Sequence, residues 1–427
     1  MMPATAAHPL YSNFDPDSYD TQSLCLDCAK HPSLKGFIER NGAEGPVCGI
    51  CQHVADVYRC CDLAKKDQLT NVLKALIRLY YNEYEYNAHW GGDDEPEGLL
   101  VRDNPILEHQ STPLRTRIPD RSTEFLYDLL SRVPYPDPDQ GISLYAGHDA
   151  ELGRMMQLSL RDSDSPRLKN LALRLVDENY FDVEPELLML LDSLLDRITR
   201  IISRGTRYFR ARIGVEAKFL DLEALGFLPP IARQPFSGKA LGAPPPLGTS
   251  AGRLNRNGVS FLYLSSDAMT AACEVRPHPG HFLSVGEFES NRDLRIATFD
   301  ADISRFARSE DDLGLFHFIL SADKIIGSPV VPEHTRRYTI TQLIAECIRQ
   351  KGLDGLSIRS SVGTGQNICV FQPSLFAPID ESVTVQEVTS LSYSLEPVPT
   401  IIEPTARHSR IGPSVSPGRK DSPGSTD

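Results

Sequence analysis

The sequence predicts a multidomain chain: an N-terminal four-cysteine ribbon over 21–60, a helical region over 61–205 and an α+β domain over 206–380. Three observations carry this. Two C-x-x-C pairs sit near the N-terminus, apolar stripes of helical period fill the middle, and short β-rich runs begin after Gly205. The first 20 residues and the segment 381–427 read as tails. With 427 residues the chain is long enough for two or three domains and a sizeable core.

The ribbon comes first. Cys25-x2-Cys28 is followed by nineteen residues (29–47) and then Cys48-x2-Cys51. Two thiolates two residues apart grip one ion on a tight turn, and a second pair closes a tetrahedral shell suited to structural zinc. A redox pair would not require two such motifs, and coincidental buried thiols would not need Gly45, Pro46 and Gly49 around the second pair. His31 and His53 are read as bystanders. The chain has nine cysteines and no secretory start, which argues against a disulfide framework. Cys273, Cys347 and Cys369 are expected to pack as small apolar groups.

In 65–86, Leu69, Val72, Leu73, Leu76, Ile77, Tyr80, Tyr81 and Tyr84 form one stripe of period near 3.6, an amphipathic helix. DRSTEFLYDLLSRV (120–133) repeats the pattern after capping residues, and EPELLMLLDSLLDRITRIISRG (184–205) predicts a third helix ending at Gly205. GGDDEPEG (91–98) and PYPDPDQG (134–141) are turn-rich loops between them. After Gly205, RYFRARIG, VSFLYLS, LRIATFD and NICVFQP read as strands, separated by helices at SDAMTAACEV and TRRYTITQLIAECIRQKG. Beyond about 400 the chain is rich in Ser, Pro and Gly and is expected to be disordered.

Composition bounds the function. A formal net charge of −13 argues against a broad nucleic-acid footprint. The first twenty residues lack a signal-peptide pattern, and no apolar run approaches the ~18 residues of a membrane helix. A cytoplasmic protein with no membrane partner is the expectation.

The chemistry concentrates in AGRLNRNGVSFLYLSSDAMTAACEVR, residues 251–276. Gly252 and Gly258 let the backbone turn around Arg253, whose planar fork suits a phosphate. Tyr263 lies near the end of the following strand; Ser265, Ser266 or Asp267 can cap the next helix, and Glu274 falls two turns later. Taken alone, these are equally a surface Arg, a packed Tyr and a capping or salt-bridged Glu.

The spacing resembles that of the RES domain family, in which an Arg in a G-R-x-N turn precedes a Tyr by ten residues and a Glu by twenty-one. Here these are Arg253, Tyr263 and Glu274. The family's upstream Y-R-x-R-like element is similar to YFRAR, giving Arg210 and Arg212. Its Ser before an N-x-x-x-F segment matches SSVGTGQNICVF as Ser361, the preferred choice, or Ser360. Many members carry Trp after the turn Arg, where this chain has Leu254. The N-terminal half resembles the HEPN/RES N-terminal module through Cys25, Cys28, Leu34, Lys35, Gly42, Gly45, Cys48 and Cys51.

The resemblance implies an ADP-ribosyltransferase-like fold acting on NAD, by hydrolysis, phosphorolysis or ADP-ribosyl transfer, in a toxin or defence role. A cognate antitoxin or an ADP-ribose acceptor protein would be the partner. The residue types suit that chemistry. Arg253 and Arg210, with Arg212, would clamp the pyrophosphate, and Tyr263 would cover the cationic nicotinamide. Glu274 would stabilise the ribose oxocarbenium, and Ser361 or Ser360 would bond ribose or phosphate. Zinc would be structural and remote from the reaction. Two other readings compete. One is a HEPN-type RNase using Arg102 and His109, though Pro105 interrupts a helix carrying both. The other is a RES-fold binding module without catalysis.

Overall fold

The computed structural model describes residues 23–44, 48, 60–62, 68–82, 106, 158–221, 230–328, 338–392, 395, 397 and 400. The expected helix at 120–133, both turn-rich loops, Cys51, Arg102, His109 and the segment after 400 lie outside them.

In the N-terminal part, β1 (Ser23–Cys25) pairs antiparallel with β2 (Cys60–Asp62), and α1 (Pro32–Asn41) packs beside them. His31 caps α1, its Nδ1 accepting from Ser33 N at 3.1 Å. Next, α2 (Gln68–Tyr80) buries Leu69, Val72, Leu73, Leu76 and Ile77, the stripe read from the sequence. The hairpin of α3 (Pro166–Asp177) and α4 (Tyr180–Asp192) follows, each helix capped by a side chain, Ser165 and Asn179 respectively.

The expected helix over 184–205 is not continuous. It ends at Asp192, and after the single turn α5 (Leu195–Ile198) the chain becomes β3 (Thr199–Ile202). Thr199, Ile201 and Ile202 are β-branched, which costs rotamer freedom in a helix and suits a pleated strand. Pairing with β9 (Leu294–Thr298) decides it, with Thr199 opposite Ala297 and Ile202 opposite Leu294. Local apolar periodicity could not reveal a partner some ninety residues away.

The remaining strands are β4 (Arg207–Ile213), the hairpin β5 (Ala217–Leu220) and β6 (Ile231–Gln234), then β7 (Leu262–Ser265), β8 (Phe282–Ser290), β10 (Gly355–Arg359), β11 (Gln366–Val370) and β12 (Phe376–Glu387). Six of these, with β3 and β9, form one eight-stranded mixed sheet in the order β12-β8-β4-β7-β11-β10-β9-β3, parallel only between β9 and β10. The sheet therefore extends on both sides of the expected 206–380, to Thr199 and to Glu387. Helices α6 (Gly238–Leu241), α7 (Ala268–Glu274), α8 (Glu310–Gly327) and α9 (Tyr338–Gln350) complete the described α-helices.

Strand alternation sorts the sheet's two faces. Leu262 and Leu264 of β7 join Ile368 and Val370 of β11 in one core, together with Leu241. Tyr263 and Cys369 pack into the other. That second core is continuous from Leu24, Cys25, Cys28 and Cys48 through α2, α4, α8 and α9 to Phe371. The N-terminal part and the sheet thus share apolar packing, reinforced by Arg40 with Asp302 and Arg78 with Glu310. Cys347 and Cys369 are buried as expected, whereas Cys273 is half-buried.

Candidate active site

Glu274 is the last residue of α7, a helix built from small side chains. Ala268, Ala271 and Ala272 let it lie close on Ala211, Leu283 and Val285 of the sheet. Asp267 caps it, accepting from Thr270 N and Thr270 Oγ1, each at 2.7 Å. Those Thr270 bonds hold the Asp267 carboxyl below its ordinary value. The Glu274 side chain is exposed, and its Oε1 accepts from Ser360 Oγ at 2.7 Å and from Asn367 Nδ2 at 2.6 Å.

Both donors are themselves fixed. Asn367 stands opposite Ser265 in the β11/β7 register, and its Oδ1 accepts from Ser265 Oγ at 2.7 Å, so the amide's NH2 end is turned to Glu274. Ser360 Oγ accepts from Gly363 N at 2.8 Å and Val362 N at 3.2 Å, which commits its proton to the carboxylate. The loop after Ser360 hugs the start of α7. A Cβ on Gly365 would lie 2.2 Å from Asp267 Oδ2 and 2.4 Å from Ser266 Oγ.

Tyr263 sits two residues before Ser265 on β7, therefore on the same face and about 7 Å along the strand. Its hydroxyl donates to Asn255 Oδ1 at 2.8 Å. Burial pushes its ionisation well up, the neighbouring Cys369 adds to this, and the charge of Arg253 pulls the other way. Asn255 in turn donates to the carbonyls of Ser250, Arg256 and Val259, which shapes the 250–259 turn. Gly252 is required there: a Cβ would fall 2.4 Å from Asn255 Oδ1.

The turn carrying Arg253 is pinned from behind by α9. Thr341 Oγ1 donates to Arg253 O, and Gln342 Nε2 donates to Gly252 O at 2.8 Å and Asn255 O at 3.0 Å. Leu254 is buried in the core. The Arg253 guanidinium donates to Ile326 O in the last turn of α8, where carbonyls lack intrahelical partners and a cation is favoured. The same helix end reaches the Ser360 side of the site, since a Cβ on Gly327 would lie 4.0 Å from Arg359 O.

Arg210 and Arg212 are placed differently. They alternate along β4 with Phe209 and Ala211, which pack with α7, so their side chains leave the sheet on the opposite face. Arg210 donates to Leu241 O and Tyr263 O, both at 2.7 Å. Burial, then the charge of Arg212, lowers its pKa to about 10. Arg212 donates to Ala240 O and stacks 3.9 Å over the Phe236 ring.

The described residues thus gather Glu274, Ser360, Tyr263 and Arg253 along one face of β7 and β11. Ser360, rather than the preferred Ser361, meets Glu274. Arg210 touches the group only through the Tyr263 carbonyl, and Arg212 does not join it. Sequence reasoning missed Asn367 and Ser265 as functional residues. A signal existed for Asn367, a carboxamide opening the apolar run NICVF in the very segment used to locate the Ser.

Residues 226–393 match the RES domain. The match contains Arg253, Tyr263, Glu274, Ser360, Ser361 and Asn367, and begins after Arg210 and Arg212. Among solved structures, the chain is similar to one in the crystal structure of the M. tuberculosis MbcT-MbcA toxin–antitoxin complex. Identity is 12%, the alignment covers 48% of this chain and 92% of that one, and the TM-score is 0.26. No curated protein matches the chain.

Away from the RES segment, Cys25, Cys28 and Cys48 are buried and their sulfurs lie within 4.8 Å of one another. Tetrahedral thiolate zinc needs sulfurs ~3.8 Å apart, given Zn–S bonds of ~2.3 Å. The three residues fit as ligands of such an ion. Ser23, two residues before Cys25, forms a parallel β-bridge with Cys48, which ties the two cysteine segments together.

Proposed function

We propose that this chain is an NAD-consuming enzyme of the RES type that breaks the nicotinamide–ribose bond. The observation that carries the reading is the Glu274 carboxylate. Two neutral donors grip Oε1, while Oε2 takes no hydrogen bond among the described residues. Such a carboxylate is fixed in orientation and has one oxygen for a substrate.

In the reaction, the C1′–N bond breaks and its electron pair leaves with neutral nicotinamide. Positive charge develops on the ribose, where Glu274 stabilises it. The cation is then captured by water, phosphate or an acceptor group, whose proton passes to solvent or to Glu274. Tyr263 provides an aromatic face for the nicotinamide and Arg253 a guanidinium for phosphate oxygens. Arg253 must give up or share its bond to Ile326 O to do so. Arg210 and Arg212 support the site from behind the sheet, so the pyrophosphate contact assigned to them passes to Arg253.

A toxin or defence role, with a cognate antitoxin or an ADP-ribose acceptor as partner, extends the same reading. The cysteine group would hold a structural zinc through Cys25, Cys28 and Cys48, with Cys51 as the fourth ligand. The deciding experiment incubates the purified chain with NAD and follows nicotinamide release. Release abolished in Glu274→Gln supports the reading; NAD left intact by the unmodified chain rejects it.

A further inference from the structure

The residue before Ser360 has a partner that the chemistry above does not use. Arg359 closes β10, and its Nε and Nη2 both donate to Asp323 Oδ2, the Nε contact at 3.0 Å. Asp323 lies in α8 with its side chain only 7% exposed, whereas the Arg359 side chain is 66% exposed. A buried carboxylate, in a helix that also buries Phe318, Ile319, Ala322 and Ile326, is costly unless a cation meets it. The pairing therefore fixes where Arg359 must be, and with it the start of the loop 360–365.

The same helix end, one turn on, offers Ile326 O to Arg253. The last two turns of α8 thus touch both flanks of the site, Arg253 directly and Ser360 through Arg359. From this juxtaposition we infer that Asp323 and Arg359 are positioning residues, an ion pair that sets Ser360 against Glu274 without touching substrate. Asp300 adds a second, more distant negative charge near Arg359. Ser360 N also bonds Gly365 O at 3.2 Å, and Gly365 N donates to Thr270 Oγ1 at 3.1 Å, which links the loop to the Asp267 cap of α7.

The inference rests on the NAD reading for its activity arm, and the test has a second arm that does not. Arg359→Met removes the pair at its exposed partner and leaves the Asp323 carboxylate without its cation, and Arg359→Lys restores a charge. Asp323→Asn probes the buried side. Arg359→Met is expected to lower kcat for NAD about tenfold or more with KM changed less than about threefold, and Arg359→Lys to recover part of the loss. By hydrogen exchange, the amides of Val362 and Gly363, which donate to Ser360 Oγ, should lose protection in Arg359→Met and Asp323→Asn. Unchanged protection in a folded Arg359→Met overturns the inference, whatever the activity. So does a rise in KM at constant kcat, which would make Arg359 a substrate contact. If the unmodified chain leaves NAD intact while protection falls as expected, the NAD reading fails and the clamp stands.

Discussion

Asn367 Nδ2 donates to Glu274 Oε1 at 2.6 Å across 93 residues of sequence. The contact joins the middle of the sheet to the end of a helix packed on it. Its direction is set by Ser265, whose hydroxyl occupies the Asn367 oxygen. A carboxylate tethered in this way cannot swing toward bulk solvent, and its approach to a ribose is decided before substrate arrives.

Glu274→Gln tests the charge alone. The glutamine oxygen still accepts from Ser360 and Asn367, so the local geometry persists. NAD affinity measured by calorimetry should stay within a few fold, while nicotinamide release falls by about 10²–10³. Unchanged turnover would return Glu274 to the role of a helix-terminal surface residue.

Asn367→Asp places a second carboxylate against the first. Two carboxylates in contact cannot both ionise easily, so one pKa rises. The acidic limb of the pH–rate profile should move upward by a unit or more, and turnover at neutral pH should fall. An unshifted limb would mean that Glu274 does not govern the rate.

Ser360→Ala and Ser361→Ala separate the two adjacent serines. Only Ser360 contacts Glu274, so its loss is expected to cost about tenfold or more in kcat, against less than about twofold for Ser361. The reverse order would show that the loop rearranges when substrate binds.

Much of this candidate site is legible in the sequence. Arg253, Tyr263 and Glu274 lie on a turn, a strand and a helix of one local unit, and fixed intervals along the chain report such a unit faithfully. Strand alternation at Tyr263 and the cap at Asp267 were likewise local. What escaped was set by register. Whether Ser360 or Ser361 points inward depends on how β10 meets β11, and a shift of one residue exchanges them. Arg210 and Arg212 look like substrate contacts in YFRAR, yet the pairing of Phe209 with Ser265 assigns them to the other face. The strand at Thr199–Ile202 was hidden for the same reason, since its partner lies in β9.

The cysteine group yields a prediction about stability. Cys25, Cys28 and Cys48 belong to the core that continues into α2 and the sheet, so a metal there would brace more than the cysteine segments. Metal analysis should find one zinc per chain. Cys25→Ser should lose it and unfold at lower temperature, with a strong chelator acting similarly on the unmodified chain. Zinc-free protein of unchanged Tm would exclude a structural ion.

Acid should destabilise the fold through two histidines before its carboxylates protonate. Burial lowers the pKa of His31, only partly offset by Asp302, and burial likewise lowers that of His317 despite the bond to Ser163 O. The cause is visible at His31. Its Nδ1 must stay bare to accept from Ser33 N, while Nε2 meets Tyr80 Oη at 3.0 Å. A folded pKa below the ordinary histidine value of ~6.5 means that the unfolded chain binds more protons just below that pH. The stabilisation is therefore complete above ~6.5, shrinks as pH falls, and stops shrinking once the folded pKa is passed. Each group contributes at most ~1.4 kcal/mol per pH unit within its window. Asp267, Asp302 and Glu346, whose pKa values are lowered from ordinary carboxylate values, lose their contributions only at still lower pH. Urea unfolding between pH 7 and 5 should then show a decline that is shallower in the double variant His31→Asn, His317→Gln. Asparagine retains the helix cap without titrating in this range. Equal slopes for the two proteins would show that neither histidine is held neutral by the fold.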